Sequence, residues 1–266
     1  MAYIQTDKNK IYYATNRKSW KTESGLQLVF IHGAGGDHRT WIFQIEHFRK
    51  HYNFYALDLP GHAFSKGERC ADIEEYAHFI GNFIITLGLK ESILIGHSMG
   101  GAIAQISALK YASHIKGIVL IGTGARLKVS PLFLEKFMQI NPETADFFCT
   151  CAFAKTADSD IISKAKEMIL GTSPDAFYHD FVACNNFDMM NDVKNISLPT
   201  LIIGAAKDQM TPLKYSQYLH EHISSSELVI VENAGHMIML ENPIQVNKAI
   251  DRWLAGIRSH TSGSLG

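Results

Sequence analysis

The sequence predicts an α/β protein: a mostly parallel sheet with helices on both faces and an inserted helical segment. Three observations carry that prediction. Short, continuously apolar runs rich in Ile, Val, Leu and Phe recur along the chain, as they do in strands buried on both faces. Segments with helical spacing lie between those runs. Strands alternating with helices in this way imply right-handed crossovers. The alternation then breaks between about Gly124 and Asn195, where no convincing strand run occurs.

In chain order, Ala2 to Gln5 and Lys10 to Ala14 alternate in a strand-like way across the turn-forming Asp7 to Asn9. The continuous apolar runs are Leu26 to Ile31, Phe54 to Leu57, Ile93 to Ile95, Ile115 to Ile121, Thr200 to Ile203 and Leu228 to Val231. Trp41, Ile45 and Phe48 mark a helix face between the first two runs. Tyr76, Phe79, Ile80, Phe83, Ile84 and Leu87 mark a second, closed by Gly88, and Ile103, Ile106 and Leu109 a third. Val246, Ile250, Trp253 and Leu254 mark the last, behind Pro243. Within the break, Leu132, Phe133, Lys136 and Phe137, then Ile161, Ile162, Ala165, Met168 and Ile169, have helical spacing. Residues 1–123 and 196–258 are therefore expected to form the core and 124–195 a helical lid. The small, polar residues 259–266 (SHTSGSLG) read as a flexible tail.

With 266 residues the chain buries roughly three quarters of its unfolded surface and needs no metal or disulfide to fold. A formal net charge of −1 with no run of like charges gives no long-range attraction for nucleic acid. The cysteines Cys70, Cys149, Cys151 and Cys184 show no C-x-x-C spacing, which predicts free thiols in a reducing compartment. No signal-peptide pattern and no apolar run of roughly 20 residues is visible, so a cytoplasmic location away from the membrane is expected.

The strongest motif is Gly96-His97-Ser98-Met99-Gly100, between a strand-like and a helix-like segment. A bare G-x-S-x-G arises by chance in about one chain in ten of this length. The strand–turn–helix context raises its weight, because that sharp turn projects a Ser hydroxyl at a helix N-terminus, where the dipole favours a developing oxyanion. A hydroxyl needs a base. His236 follows the run ending at Val231, at the carboxyl end of a strand, where ligand sites lie in open α/β sheets. Asp208 follows the run ending at Ile203 and is placed to orient that base. Asp188 and Asp192 are rivals for the acid but follow no strand. Most of the 13 histidines are solvated or structural, and His236 stands out only in company with Ser98 and Asp208.

Acyl transfer also needs two aimed N–H groups for the oxyanion. Met99 supplies one by position. The loop His32-Gly33-Ala34-Gly35-Gly36 supplies the other, assigned to Ala34; it lacks the G-K-[ST] ending of a P-loop and the G-x-G-x-x-G spacing of a dinucleotide site.

Five landmarks in order, HGAGG at 32–36, DLPGHAFS at 58–65, GHSMGG at 96–101, GAAKDQMTP at 204–212 and NAGHMIMLENP at 233–243, make the chain resemble the α/β-hydrolase-fold serine hydrolases with a helical cap, of carboxylesterase or lactonase type. The likeness runs from about Leu26 to Leu254. It implies an eight-stranded sheet, a triad at Ser98, Asp208 and His236, oxyanion donors at Met99 and Ala34, and no metal or organic cofactor. The 58–65 stretch matches a structural loop near the site, and 124–195 the variable cap that shapes the pocket. Ser at position 98 departs from the Asp of dehalogenases and epoxide hydrolases, and His97 from the Asn usual in carbon–carbon hydrolases. Both favour an ester, thioester or lactone.

Large apolar side chains fill the lid, among them Phe133, Phe137, Phe148, Phe177, Phe181 and Phe187. Many pack the lid onto the sheet; Phe133, Phe137 and Phe187, with His32, Gly33, His97, Met210 and Met237, are expected at the pocket. The expected substrate is a small to medium, mostly apolar ester, since no Arg cluster marks phosphate or several carboxylates, although Arg126 and Lys128 stand where the lid begins. A histidine base works only when neutral, so activity should fall below about pH 6. Carbon–carbon cleavage, perhydrolysis, acyl transfer to another alcohol, or a slow-turnover ligand receptor keeping the triad remain alternatives, and the chain is a monomer or a homodimer.

Overall fold

The computed structural model describes residues 2–6, 9–16 and 25–262, without the side chains of 259–262. Asp7 and Lys8 of the expected first turn lie outside the described residues, as do residues 263–266 of the expected tail.

Eight strands form one sheet: β1 (Ala2–Gln5), β2 (Lys10–Thr15), β3 (Gln27–Ile31), β4 (Asn53–Leu57), β5 (Ser92–His97), β6 (Ile115–Ile121), β7 (Thr200–Ala205) and β8 (Ser226–Val231). Their order is β1-β2-β4-β3-β5-β6-β7-β8. The β1–β2 and β2–β4 pairs are antiparallel and the rest are parallel. After β3 the chain crosses to one side for β4, then returns past β3 to lay β5 on its other side. The sheet therefore has its switch point between β3 and β5, where the loops leaving both strands open a crevice.

Strand side chains alternate between two cores. Val29, Ile31, Leu94, Ile118, Leu120 and Ile202 meet α2 (Ile73–Thr86), α3 (Met99–Lys110) and α8 (Lys214–His222). Leu28, Phe30, Ile93, Ile95, Val119, Ile121 and Ile203 meet α1 (Ile42–Phe48) and α10 (Pro243–Ser262). Both faces are covered, which is why these strands read as continuous apolar runs. The helix α8 was not expected from the sequence: its segment KYSQYLHEH buries only Ser216 and Leu219. A short helix, α9 (Ile238–Glu241), precedes α10. The helical backbone of α10 continues to Ser262, so the residues 259–262 read as tail are helical.

Four helices fill the interval between β6 and β7: α4 (Pro131–Lys136), α5 (Pro142–Ala152), α6 (Ser159–Leu170) and α7 (Pro174–Asn186). Proline in the first turn starts three of them, with its fixed φ and no N–H to leave unpaired. Asn141 and Thr144 close a reciprocal cap on α5, and Asp158 accepts from Asp160 N–H at the start of α6. Phe133, Phe137, Phe148, Phe177 and Phe181 pack as one aromatic cluster inside this insert. Among the described residues no helix is long and apolar enough to cross a membrane. The four cysteines are free thiols.

Candidate active site

Ser98 stands between β5 and α3 with φ 52° and ψ −114°, a left-handed region costly for a side-chain-bearing residue. The turn is tight on both sides. A Cβ on Gly96 would lie 2.2 Å from the Gly100 carbonyl oxygen, and one on Gly100 would lie 2.2 Å from the Ile31 oxygen. Both glycines are required by close approach. Ser98 N–H donates to Ile121 O at 2.9 Å, and the Thr123 hydroxyl donates to Ser98 O at 2.8 Å. The strained residue is thus tied to the neighbouring strand, and α3 begins at Met99, the N–H groups of Met99 and Gly100 preceding the first helical bond, Gly101 N–H to Ser98 O at 2.9 Å.

His236 lies in the loop after β8. Its backbone N–H donates to Ala152 O at 2.7 Å, the end of α5. The side chain places Nδ1 2.9 Å from Asp208 Oδ2. A carboxylate only accepts, so the proton sits on Nδ1 and leaves a lone pair on Nε2. Asp208, just past β7, also accepts from the N–H groups of Met210 (2.9 Å) and Thr211 (2.8 Å) and from the Thr211 hydroxyl (2.7 Å). Burial pushes the Asp208 carboxyl up, but His236 and the Thr211 hydrogen bonds outweigh it and hold the group below the usual carboxylate range. It therefore carries charge where it meets the imidazole.

Two further histidines are neutral braces. His97 sends Nε2–H to the His236 carbonyl at 3.0 Å, its ring 4.6 Å from the His236 ring. Burial and then the neighbouring His236 hold it well below the usual histidine value. His32 donates from Nδ1 to Gly33 O at 2.8 Å and accepts at Nε2 from Leu59 N–H at 3.0 Å. Burial, helped by His62, lowers it to about 4. Glu241 accepts from Gly235 N–H and Ala154 N–H, bracing the His236 loop against the insert; burial raises its carboxyl against those bonds. In the 58–65 loop, Asp58 accepts from His38 and from Phe64 N–H. Asp37, His38 and Asp58 bring ligand-type atoms within 4.8 Å of one another. Arg39 already occupies Asp37, so the described bonds brace the loop.

Two cavities meet at Ser98 and share Ala34, Phe181, Met210 and His236. One, about 60 Å³, runs past the 33–36 loop to Phe148, Met168, Ile169, Phe177, Met237 and Leu240. The other, about 240 Å³, is lined by Leu127, Lys128, Val129, Ser130, Phe133, Cys151, Gln209, Thr211 and Tyr215 among others. Of the residues expected at the pocket, Gly33, His97, Met210 and Met237 border the first cavity and Phe133 and Met210 the second. His32, Phe137 and Phe187 border neither. His32 is spent on the loop, Phe137 is fully buried among its neighbouring rings, and Phe187 packs in the core beside α3. The rival acids lie apart: Asp188 is half exposed beside Arg126, and Asp192 caps no side-chain bond. Thr211 and Thr123 were not anticipated. Thr211 carried a signal in the spacing Asp208-x-x-Thr211-Pro212, a turn in which the acid accepts from the residues after it.

The model of the alpha/beta hydrolase family matches residues 28–249. A solved structure described as a thermophilic esterase superposes with a TM-score of 0.83 at 31% identity, covering 96% of this chain and 97% of that one. A lipase-esterase related protein from Clostridium acetobutylicum ATCC 824 gives 0.80 at 29% identity, over 91% and 99% of the two chains. The AB hydrolase superfamily protein YisY of Bacillus subtilis (strain 168) is 26% identical over 242 residues, 85% of this chain and 90% of that protein.

Proposed function

The chain belongs to the alpha/beta hydrolase family, and on that premise we infer that it is a serine hydrolase cleaving a carboxylic ester, thioester or lactone through an acyl-enzyme on Ser98. The observation that carries this reading is one arrangement: a strained Ser98 at the head of α3 opens on the same two cavities as His236, whose Nδ1 is held 2.9 Å from a charged Asp208.

Ser98 Oγ attacks the carbonyl carbon while His236 Nε2 takes its proton. Asp208 keeps the tautomer and offsets the imidazolium charge. The N–H groups of Met99 and Ala34 receive the oxyanion, worth several kcal/mol in such sites. The leaving group departs with the proton from His236. Water then repeats the sequence on the acyl-enzyme, releasing the acid. The insert 124–195 acts as the cap that walls both cavities. The smaller cavity, walled by Phe148 and Phe177 of the insert and by Leu240, suits a small apolar substituent; the wider one, with Lys128 of the insert and Gln209 and Tyr215 of the core, suits a larger and more polar one.

The test is turnover of p-nitrophenyl esters of increasing acyl length beside S98A. Steady release by the wild type with a loss of about 10³-fold or more in S98A is expected. Equal release by the two proteins sinks the assignment.

A further inference from the structure

Helix α7 grips the loop that carries Ala34. Asp180, fully buried, accepts through Oδ2 from Gly35 N–H at 2.8 Å and from His62 Nε2 at 2.8 Å. Its Oδ1 accepts from the Tyr76 hydroxyl at 3.1 Å. The Thr172 hydroxyl, between α6 and α7, donates to Met168 O at 2.9 Å and lies 3.2 Å from the Gly35 carbonyl oxygen. Gly35 has φ +64°, and a Cβ there would stand 2.3 Å from the Phe177 ring. Side chains of the insert therefore hold the N–H and pack on the α-carbon of the residue that directly follows Ala34.

The acceptor is an ion. His62 Nδ1 faces Pro60 O at 3.1 Å and Nε2 faces the Asp180 carboxylate. Both partners accept, so both ring nitrogens donate, which only imidazolium does. Burial pushes His62 down and Asp180 up, but in each the partner's charge and hydrogen bond win, raising His62 and lowering Asp180. A buried ion pair adds little stability over well-packed apolar side chains. Apolar side chains in the same places, however, would leave Gly35 N–H without its acceptor.

We propose that Asp180 is a positioning residue of the oxyanion site: by holding Gly35 N–H it fixes the peptide plane after Ala34, and so aims the Ala34 N–H at the carbonyl oxygen of a substrate on Ser98. The proposal rests on the acyl-transfer reading above. The 34–35 peptide is rigid and planar, so anchoring its N–H restricts the backbone rotation of Ala34. In this arrangement α7 is a fixed wall of the site during turnover.

Two substitutions separate positioning from mere support. D180A removes the acceptor, whereas D180N keeps an oxygen for Gly35 and offers its amide to Tyr76. With p-nitrophenyl acetate, D180A is expected to lower kcat about 10- to 100-fold with KM within about threefold, and D180N to keep at least about a third of kcat. D180A strands the His62 charge, so H62L/D180A is measured beside it; it leaves no buried charge unpaired and carries the same kinetic expectation. Amide exchange of segment 32–40, followed by mass spectrometry, should quicken in both alanine variants and stay unchanged in D180N. Wild-type kcat in a folded alanine variant, D180N as impaired as D180A, or unchanged exchange alongside intact ester turnover each overturns the positioning role. Equal turnover by wild type and S98A instead removes the acyl-transfer reading beneath it.

Discussion

At the scale of single residues, the proposed acid is set by its own turn. Asp208 gathers two backbone N–H groups, one hydroxyl and one imidazole within 2.9 Å. The Thr211 hydroxyl donates to Oδ2, the oxygen that faces His236, and also stands 3.2 Å from His236 Nδ1. It therefore fixes where that oxygen's remaining lone pair points. Valine at 211 keeps the shape and the backbone bond and loses only the hydroxyl. T211V is expected to cost about 1.5–3 kcal/mol of stability, the usual worth of a hydrogen bond to a charged group, and to lower kcat/KM roughly 3- to 30-fold as the imidazole loosens. Urea denaturation and ester kinetics read the two effects. Wild-type values in both would mean that the backbone donors alone orient the acid.

At the scale of elements, α7 has two duties: Asp180 holds Gly35 N–H, and Phe177 packs on the Gly35 α-carbon and walls the smaller cavity. Phe177 is fully buried, with ring centroids 4.9 Å from Phe137, 5.8 Å from Phe148 and 5.7 Å from Phe181, and it walls the narrow cavity. F177A should cost about 3–5 kcal/mol in urea denaturation. It should also widen the narrow cavity, so hexanoate gains on acetate relative to wild type; an unchanged chain-length profile would remove Phe177 from the pocket wall. These elements were unequally legible. The central strands β3 to β7 showed as apolar runs because they are buried on both faces, and Ser98, Asp208 and His236 stood out as candidates because each ends or follows an apolar run. Helix α8 was hidden because Leu219 is its one fully buried apolar side chain, beside the polar Ser216. Asp180 was hidden for a different reason: an acid inside an insert helix matches no motif, and its partners lie 104, 118 and 145 residues away in sequence. His32, Phe137 and Phe187 were expected at the pocket because sequence gives residue type and not the direction of a side chain.

At the scale of the molecule, the switch point between β3 and β5 concentrates buried titratable groups, and their signs shape stability against pH. His32 and His97 are neutral in the fold, held below the ordinary 6.5 by burial first. As pH falls below about 6.5 the unfolded chain takes up protons that these two refuse, and stability is lost, for His32 down to about 4. His62 has the opposite sign. Raised by Asp180 against burial, its contribution is complete below 6.5 and is lost as pH rises through its folded value. Asp180 and Asp208, held below 3.8, add a further loss at the acid end, as pH falls through their folded values. Glu241, raised above 4.5 by burial, works against the acid limb only by shedding some stability as pH climbs through its own folded value. Each group changes stability by about 1.4 kcal/mol per pH unit while it differs between the two states. Two histidines act below 6.5 and one above, so Tm should peak near pH 6.5 and fall more steeply toward pH 5 than toward pH 8. Thermal melts across that range, with H97Q beside the wild type, check the signs. The variant should flatten the acid limb by about one group's slope, whereas a Tm that is level from pH 5 to 6.5 would mean that His32 and His97 are not held neutral in the fold.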